Sequence, residues 1–229
     1  MHDHTLDDLL HQLDHADLSV RMNAVFILGE QRAREAVPML IALLDNANTI
    51  KSPMHVEDFQ VLSLASSAAI ALGKIGDPRA IPSLIAAYEQ GMFSALKGLA
   101  YFPDDVAFMV LLRAFEQAQH PHVATLLGRR GDRRAVPALI VAMDNPQIVV
   151  RFYTVRALGR LGDLRAIAAL EAARDDQRII KHNKTIAQAV QTALAQIQGW
   201  YNESGAKLTR ARWTILGNAT DQGKDHHDS

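Results

Sequence analysis

The stretch LGKIGDPRAIPSL, residues 72–84, decides the fold, because the chain writes it more than once. Residues 127–139 read LGRRGDRRAVPAL, residues 158–170 read LGRLGDLRAIAAL, and residues 28–40 read LGEQRAREAVPML. Self-similarity of this kind marks an architecture of stacked repeats and outranks any local reading. A degenerate copy, LAYFPDDVAFMVL, occupies residues 99–111, and a half-copy ends at Leu194–Ala195. With the residue after the first Leu as a mark, the copies fall at 29, 73, 100, 128, 159 and 195. The unit is about 30 residues long, enough for two helices and two short turns.

Each copy carries its own punctuation. The marks Gly29, Gly73, Gly128 and Gly159 are expected to end the first helix of a pair, since glycine accepts the left-handed backbone just past a helix end. Asp77, Asp132 and Asp163 are expected to cap the entrance to the second helix. Pro38, Pro82 and Pro137 share one register, which suits a first helical turn. Behind them, Ile81, Leu84, Ile85 and Tyr88 follow the i, i+3, i+4, i+7 spacing of a buried helix face, and Val136, Leu139, Ile140 and Met143 repeat it. The Ala-rich stretch 64–72 suits close helix approach. The pattern predicts helices over 5–15, 19–29, 36–45, 61–73, 79–90, 92–101, 105–118, 121–128, 135–144, 148–159, 166–175 and 183–198. The fold class is therefore all-α, a solenoid of five to six helical pairs.

The LGxxGDxRAIPxL phrase resembles the HEAT-like repeat first named from phycobilisome (PBS) lyases, over roughly residues 19–198. The resemblance implies a right-handed α-α superhelix, an armadillo-type solenoid of paired helices whose second helices usually line the partner-binding surface. It says little about function, because the same repeat serves lyase subunits, phycobilisome-degradation factors and adaptors alike. On this reading residues 1–200 form one solenoid with helix 5–15 as its N-terminal cap. Residues 201–216 form a C-terminal cap or aromatic–basic segment, and the polar residues 217–229 are expected to be disordered.

Composition narrows the chemistry. There is no cysteine, so disulfides, thiolate metal sites and a bilin held covalently on this chain are excluded. The first 17 residues lack the basic start and apolar run of a signal peptide. No run approaches the roughly 18 apolar residues of a membrane span. The expected location is the cytoplasm, away from membranes. The net charge of −1 hides a division: residues 1–119 carry 8 Lys/Arg against 15 Asp/Glu, and residues 120–215 carry 15 against 7.

Asp77/Arg79, Asp132/Arg134 and Asp163/Arg165 recur too regularly for catalysis and read as a ladder between neighbouring turns. His11 and His15 are four apart, as zinc ligands on a helix would be, but no third ligand accompanies them and no metal site is expected. The His–Glu pairs of the HEAT-like deoxyhypusine hydroxylases are absent. A basic stripe (Arg129, Arg130, Arg133, Arg134, Arg151, Arg156, Arg160, Arg178, Lys181, Lys184) invites a nucleic-acid reading, including a HEAT-like DNA glycosylase. The sequence pI of about 6.8 and the lack of an identifiable catalytic acid count against it.

The expected role is a non-enzymatic scaffold or adaptor that binds another protein, with no cofactor. The alternative is a bilin lyase subunit or phycobilisome-associated chaperone. Contact residues are sought where the repeat consensus fails: the 46–59 insertion, Tyr88 and Phe93, Tyr101 and Phe102 in the degenerate copy, Arg129, Arg130 and Arg133, and Trp200 and Trp213 at the C-terminal end.

Overall fold

The computed structural model describes residues 5–48, 56–180 and 184–202; side chains of residues 48, 56–59 and 200–202 lie outside that description. Twelve α-helices occupy the described residues, one for each expected helix: α1 Leu6–Gln12, α2 Leu18–Glu30, α3 Val37–Asn48, α4 Val56–Ile75, α5 Ile81–Glu89, α6 Ser94–Leu99, α7 Asp105–Ala118, α8 Pro121–Arg130, α9 Val136–Val141, α10 Ile148–Leu161, α11 Ile167–Ala172 and α12 Ile186–Asn202. The only β pairing among them is an isolated bridge between Ile179 and Thr185. Two stretches of the predicted 46–59 loop are helical, because α3 runs to Asn48 and α4 begins at Val56. Residues 49–55, the tail 203–229 and Trp213 within it lie outside the described residues.

The chain divides into two compact units, Met1–Phe108 and Met109–Ser229, with the boundary inside α7. In unit 1, α2 stacks on α4 and α4 on α6, while α3 and α5 pack beside them. In unit 2, α8 stacks on α10 and α10 on α12, with α9 against α10 and α11 against α12. Leu28, Leu72, Leu84 and Phe102 are fully buried in the first unit, and Leu127, Leu139, Leu158 and Ile197 in the second.

The role expected of the Leu–Gly glycines needs correcting. Gly29, Gly73, Gly128 and Gly159 lie inside the last turns of α2, α4, α8 and α10, not beyond them. Their job is close approach. A Cβ built on Gly73 would stand 2.5 Å from the Gly98 carbonyl oxygen, and one on Gly128 would stand 2.7 Å from Ala157 Cα. No side chain fits such seams, so the first helices of successive pairs stack backbone to backbone. The left-handed residue is the second glycine of the phrase: Gly76, Gly131 and Gly162 have φ of 73°, 75° and 59°. In the first copy the same slot holds Arg32, with φ 54°.

The aspartates act one step earlier than expected. Asp77, Asp132 and Asp163 cap short 3-10 turns, Pro78–Ala80, Arg133–Ala135 and Leu164–Ala166, which lead directly into α5, α9 and α11. Pro82 and Pro137 then occupy the second position of α5 and α9, where a missing N–H costs nothing. In the degenerate copy Asp104 takes the same part, its Oδ1 accepting from the Val106 amide at 2.7 Å.

Candidate protein-interaction surface

The Asp–x–Arg phrase builds a closed clamp. Asp77 accepts the Arg79 backbone N–H and Nε at 3.0 Å each on Oδ1, and Nη2 at 2.7 Å on Oδ2. Asp132 with Arg134 and Asp163 with Arg165 repeat the arrangement, also with Nη2 contacts of 2.7 Å. The clamp reaches the preceding turn as well: Arg79 Nη2 donates to the Arg34 carbonyl at 3.4 Å, and Arg165 Nη2 to the Arg133 carbonyl at 3.1 Å. The regular arginines are therefore engaged by their own aspartates, and Arg79 and Arg165 also bridge to the preceding turn, as a ladder requires.

A fourth clamp, which the repeat alignment does not reveal, joins Asp176 and Arg178 at 2.6 Å in the loop before α12. Its sequence signal is the same Asp–x–Arg spacing, displaced from the Leu–Gly mark. That loop is pinned to α12 by the Ala187 amide, which donates to the Asp176 carbonyl at 2.9 Å.

The clamps hold their carboxylates ionised. The hydrogen bonds from the Arg79 side chain and amide bring Asp77 down to about 2. Hydrogen bonding from Arg165 and Arg178 lowers Asp163 and Asp176 in the same way, against the opposing effect of burial. For Asp132 burial pulls upward most strongly, yet the combined bonds from Arg134 and the nearby Arg130 charge leave the net shift downward.

The expected contact residues separate into three groups. Tyr88, Phe93 and Tyr101 are half-buried in unit 1, and the Tyr101 ring lies over the seam, 2.9 Å from where a Gly73 Cβ would be. Phe102, only 1% exposed, belongs to the core, and Arg130 is 8% exposed. Both are corrections: neither side chain can be offered to a partner by the folded chain. Arg129 and Arg133 are exposed, and Arg133 Nε also donates to the Leu161 carbonyl at 3.1 Å. Trp200 sits on α12, and its side chain is outside the description.

The basic stripe is dismantled by the same geometry. Arg134, Arg165 and Arg178 are clamped by aspartates. Arg151 is buried, its Nη1 donating to the Asn145 carbonyl at 2.5 Å. Of the rest, Arg133 is tied to the Leu161 carbonyl, Lys184 is exposed before α12, Lys181 lies outside the described residues, and Arg129, Arg156 and Arg160 form a local group at the α8–α10 seam. Arg156 stands over the rings of Phe152 (5.7 Å) and Tyr153 (6.0 Å). Burial, then the charges of Arg156 and Arg129, push the Arg160 guanidinium below its ordinary value. At the same register of unit 1, Glu30 on α2 forms an ion pair with Lys74 on α4, and Lys74 Nζ lies 5.0 Å from the Phe26 ring centre.

His15 Nδ1 accepts the Asp17 amide at 3.0 Å, closing a local turn beside His11. Among the described residues no three His, Asp or Glu side chains gather as metal ligands would, and no helix is long and apolar enough to cross a membrane.

Residues 20–46 and 64–90 match the model of the PBS lyase HEAT-like repeat, and residues 121–195 match that of HEAT repeats. The chain is a HEAT-repeat protein. Its PBS-lyase-type repeats lie in unit 1 and its other HEAT match in unit 2, with α6 and α7 between the matched stretches.

The phycocyanobilin lyase subunit alpha of Pseudanabaena tenuis (strain PCC 7409) is 30% identical over 172 residues, which take in 67% of this chain. The HEAT-repeat chain spans 61% of that relative's length. Among solved structures, the complex of CpcE and CpcF of phycocyanin lyase from Nostoc sp. PCC7120 is 22% identical, with a TM-score of 0.52 over 84% of this chain and 94% of that one. At that identity the likeness concerns the fold: all-α HEAT repeats. Human deoxyhypusine hydroxylase in complex with glycerol is 17% identical, with a TM-score of 0.40 over 84% of each chain.

Proposed function

We propose that this HEAT-repeat protein works as one subunit of a bilin-lyase-like assembly, holding a protein partner against its preformed helical surface. The observation that carries this reading is the 30% identity to a phycocyanobilin lyase subunit, joined to two repeats of PBS lyase type. It favours the lyase-subunit alternative over a plain adaptor. The chain's contribution is recognition: with no cysteine it cannot itself carry a thioether-linked bilin. Stacked helices bound to one another by glycine seams and Asp–Arg clamps lose little conformational freedom on binding, which leaves more of the contact energy for affinity.

The adaptor reading has its own support. The residues that look most like a motif, Asp77/Arg79 and its copies, are consumed by stacking.

The test is co-expression of the chain with a second lyase-type HEAT subunit, apo-phycocyanin and a phycocyanobilin supply. Covalent bilin on the acceptor is read by zinc-induced fluorescence in a denaturing gel. Bilin attachment that requires this chain is the expected result. A stable complex with the acceptor but no attachment returns the protein to the adaptor class, and neither outcome together removes both readings.

A further inference from the structure

We propose that Arg129, Arg156 and Arg160 form a carboxylate-binding site on unit 2, which seats acidic side chains of a protein partner. The inference rests only on the protein-binding part of the function proposed above and needs no bilin chemistry.

The juxtaposition comes from the seam. Gly128 on α8 lies so close to Ala157 on α10 that a Cβ would stand 2.7 Å from the Ala157 Cα and 2.9 Å from its Cβ. Arg129 follows the first of these residues and Arg156 precedes the second. Arg160 stands one helical turn beyond Arg156 on the same helix face. Three guanidinium groups are thus delivered to one place on the surface by two helices in backbone contact. Arg129 and Arg156 are exposed and Arg160 is half-buried.

Nothing in the described fold neutralises them. None of the three makes an ion pair among the described residues. The aspartates of the neighbouring turns, Asp132, Asp163 and Asp176, have both oxygens engaged by Arg134, Arg165 and Arg178. The mutual opposition of the three charges is felt at Arg160, whose protonated form is disfavoured by burial and then by Arg156 and Arg129.

Stacking does not demand this arrangement. The matching slots of unit 1 hold Glu30 where unit 2 has Arg129, and Lys74 where unit 2 has Arg160, and those two side chains pair with each other. The fold can close this position with opposite charges, and in unit 2 it leaves three like charges facing one another. Local repulsion of that kind is a mark of a site whose counter-charge arrives from outside.

The surroundings fit a protein carboxylate. Arg156 lies over the Phe152 and Tyr153 rings, which are themselves packed edge to face at 5.5 Å. A guanidinium held on aromatic faces is preorganised and keeps its N–H donors for a planar, bidentate acceptor. Val149, 38% exposed, shares the face of Tyr153, Arg156 and Arg160 at helical spacing. Arginine, tyrosine and apolar surface in one patch is the composition of a protein interface. A phosphate backbone would need the positive charge to run on as a stripe: Arg130 and Arg151 are buried, the exposed Arg133 has its Nε tied to the Leu161 carbonyl, and α12, beside α10, has no charged residue.

The experiment follows the arginine Nε–H resonances of the whole chain while a decaglutamate peptide is added, at about 50 mM salt so that exposed charges are not screened out. Decaglutamine, inorganic phosphate and a short DNA duplex are the comparison probes. Decaglutamate is expected to move Arg129, Arg156 and Arg160 and to leave the exposed Arg113 in place. In an Arg156→Gln/Arg160→Gln double variant the affinity is expected to fall about tenfold, a change of about 1.4 kcal/mol. Its thermal midpoint is expected to hold or rise, because repulsion has been removed.

Unmoved resonances, or equal movement of Arg113, would overturn the site. Tighter binding of phosphate or duplex DNA to the same arginines would overturn the carboxylate assignment. A double variant that melts lower and loses helicity would show the cluster to be structural. Failure of bilin transfer leaves these readouts untouched, and failure here leaves bilin transfer open.

Discussion

At one register the two units of this protein solve the same packing problem with opposite electrostatics. In unit 1 the stacked helices α2 and α4 place Phe26, Glu30 and Lys74 together, and the cation is shared between a carboxylate and a ring. In unit 2 the stacked helices α8 and α10 place Arg129, Arg156 and Arg160 together, with aromatic rings but no acid. The backbone seam beneath is equivalent: a glycine in a last helical turn against the next helix. Repetition therefore fixes where side chains meet and leaves free what they do there. The first unit spends the position on itself, and the second leaves it open to a partner.

The largest effect is expected where the units are alike. Gly73→Ala and Gly128→Ala each push a methyl into a seam with no room for it. Either should cost about 1–3 kcal/mol, less the small gain in helix propensity, measured by urea unfolding. Equal stability to the parent would mean that the seams are looser than their geometry.

The next effect separates the units. Among the described residues unit 1 has one Asp–x–Arg clamp and unit 2 has three. Each clamped aspartate has its folded pKa lowered, so its contribution is complete above the unfolded value near 4 and is lost as pH falls through the folded one. For Asp77 that window runs from about 4 down to about 2. Hydrogen exchange between pH 4 and 2, scaled for intrinsic rate, should show unit 2 losing protection faster than unit 1. Within a unit, Asp77→Ala or Asp132→Ala removes a cap and a clamp together and should cost about 1–2 kcal/mol at neutral pH. Indifference to either change would reduce the ladder to decoration.

A smaller gain is expected from the first repeat. Arg32 holds the left-handed backbone that Gly76, Gly131 and Gly162 adopt freely, so Arg32→Gly should stabilise unit 1 by about 1 kcal/mol in thermal unfolding. The smallest change tests the comparison itself. Arg129→Glu reproduces in unit 2 the pairing of unit 1 and should stabilise the fold slightly, by about 0.2–1 kcal/mol, seen as a higher thermal midpoint, while abolishing decaglutamate binding. A fall in stability would show that the two seams are not equivalent.

Most of the fold was legible because helices announce themselves twice, by the spacing of apolar residues and by their caps. All twelve expected helices exist, and the Asp–Arg series reads correctly as stacking. The misreadings share a cause. Glycine serves both a left-handed turn and a close approach, and the string LGxxG does not say which glycine does which; only the neighbouring helix does. Phe102 and Arg130 looked available because they depart from the consensus, yet tertiary packing buries them. The 46–59 stretch reads as a loop, yet α3 continues through Asn48 and α4 begins at Val56. The basic stripe was visible as composition. Which of its members are spent on aspartates and which stand unpaired depends on contacts between turns, and those lie outside any single copy of the phrase.

The glycine seam also bears on how such a chain can change over generations. A joint made of backbone against backbone asks for no matching pair of side chains, so any repeat ending its first helix this way can dock onto any other. Whole units can be copied, dropped or reordered without a new interface having to arise beside each one. Novelty is then confined to the positions flanking the joint, where Glu30 and Arg129 already stand as two different outcomes of one duplicated part.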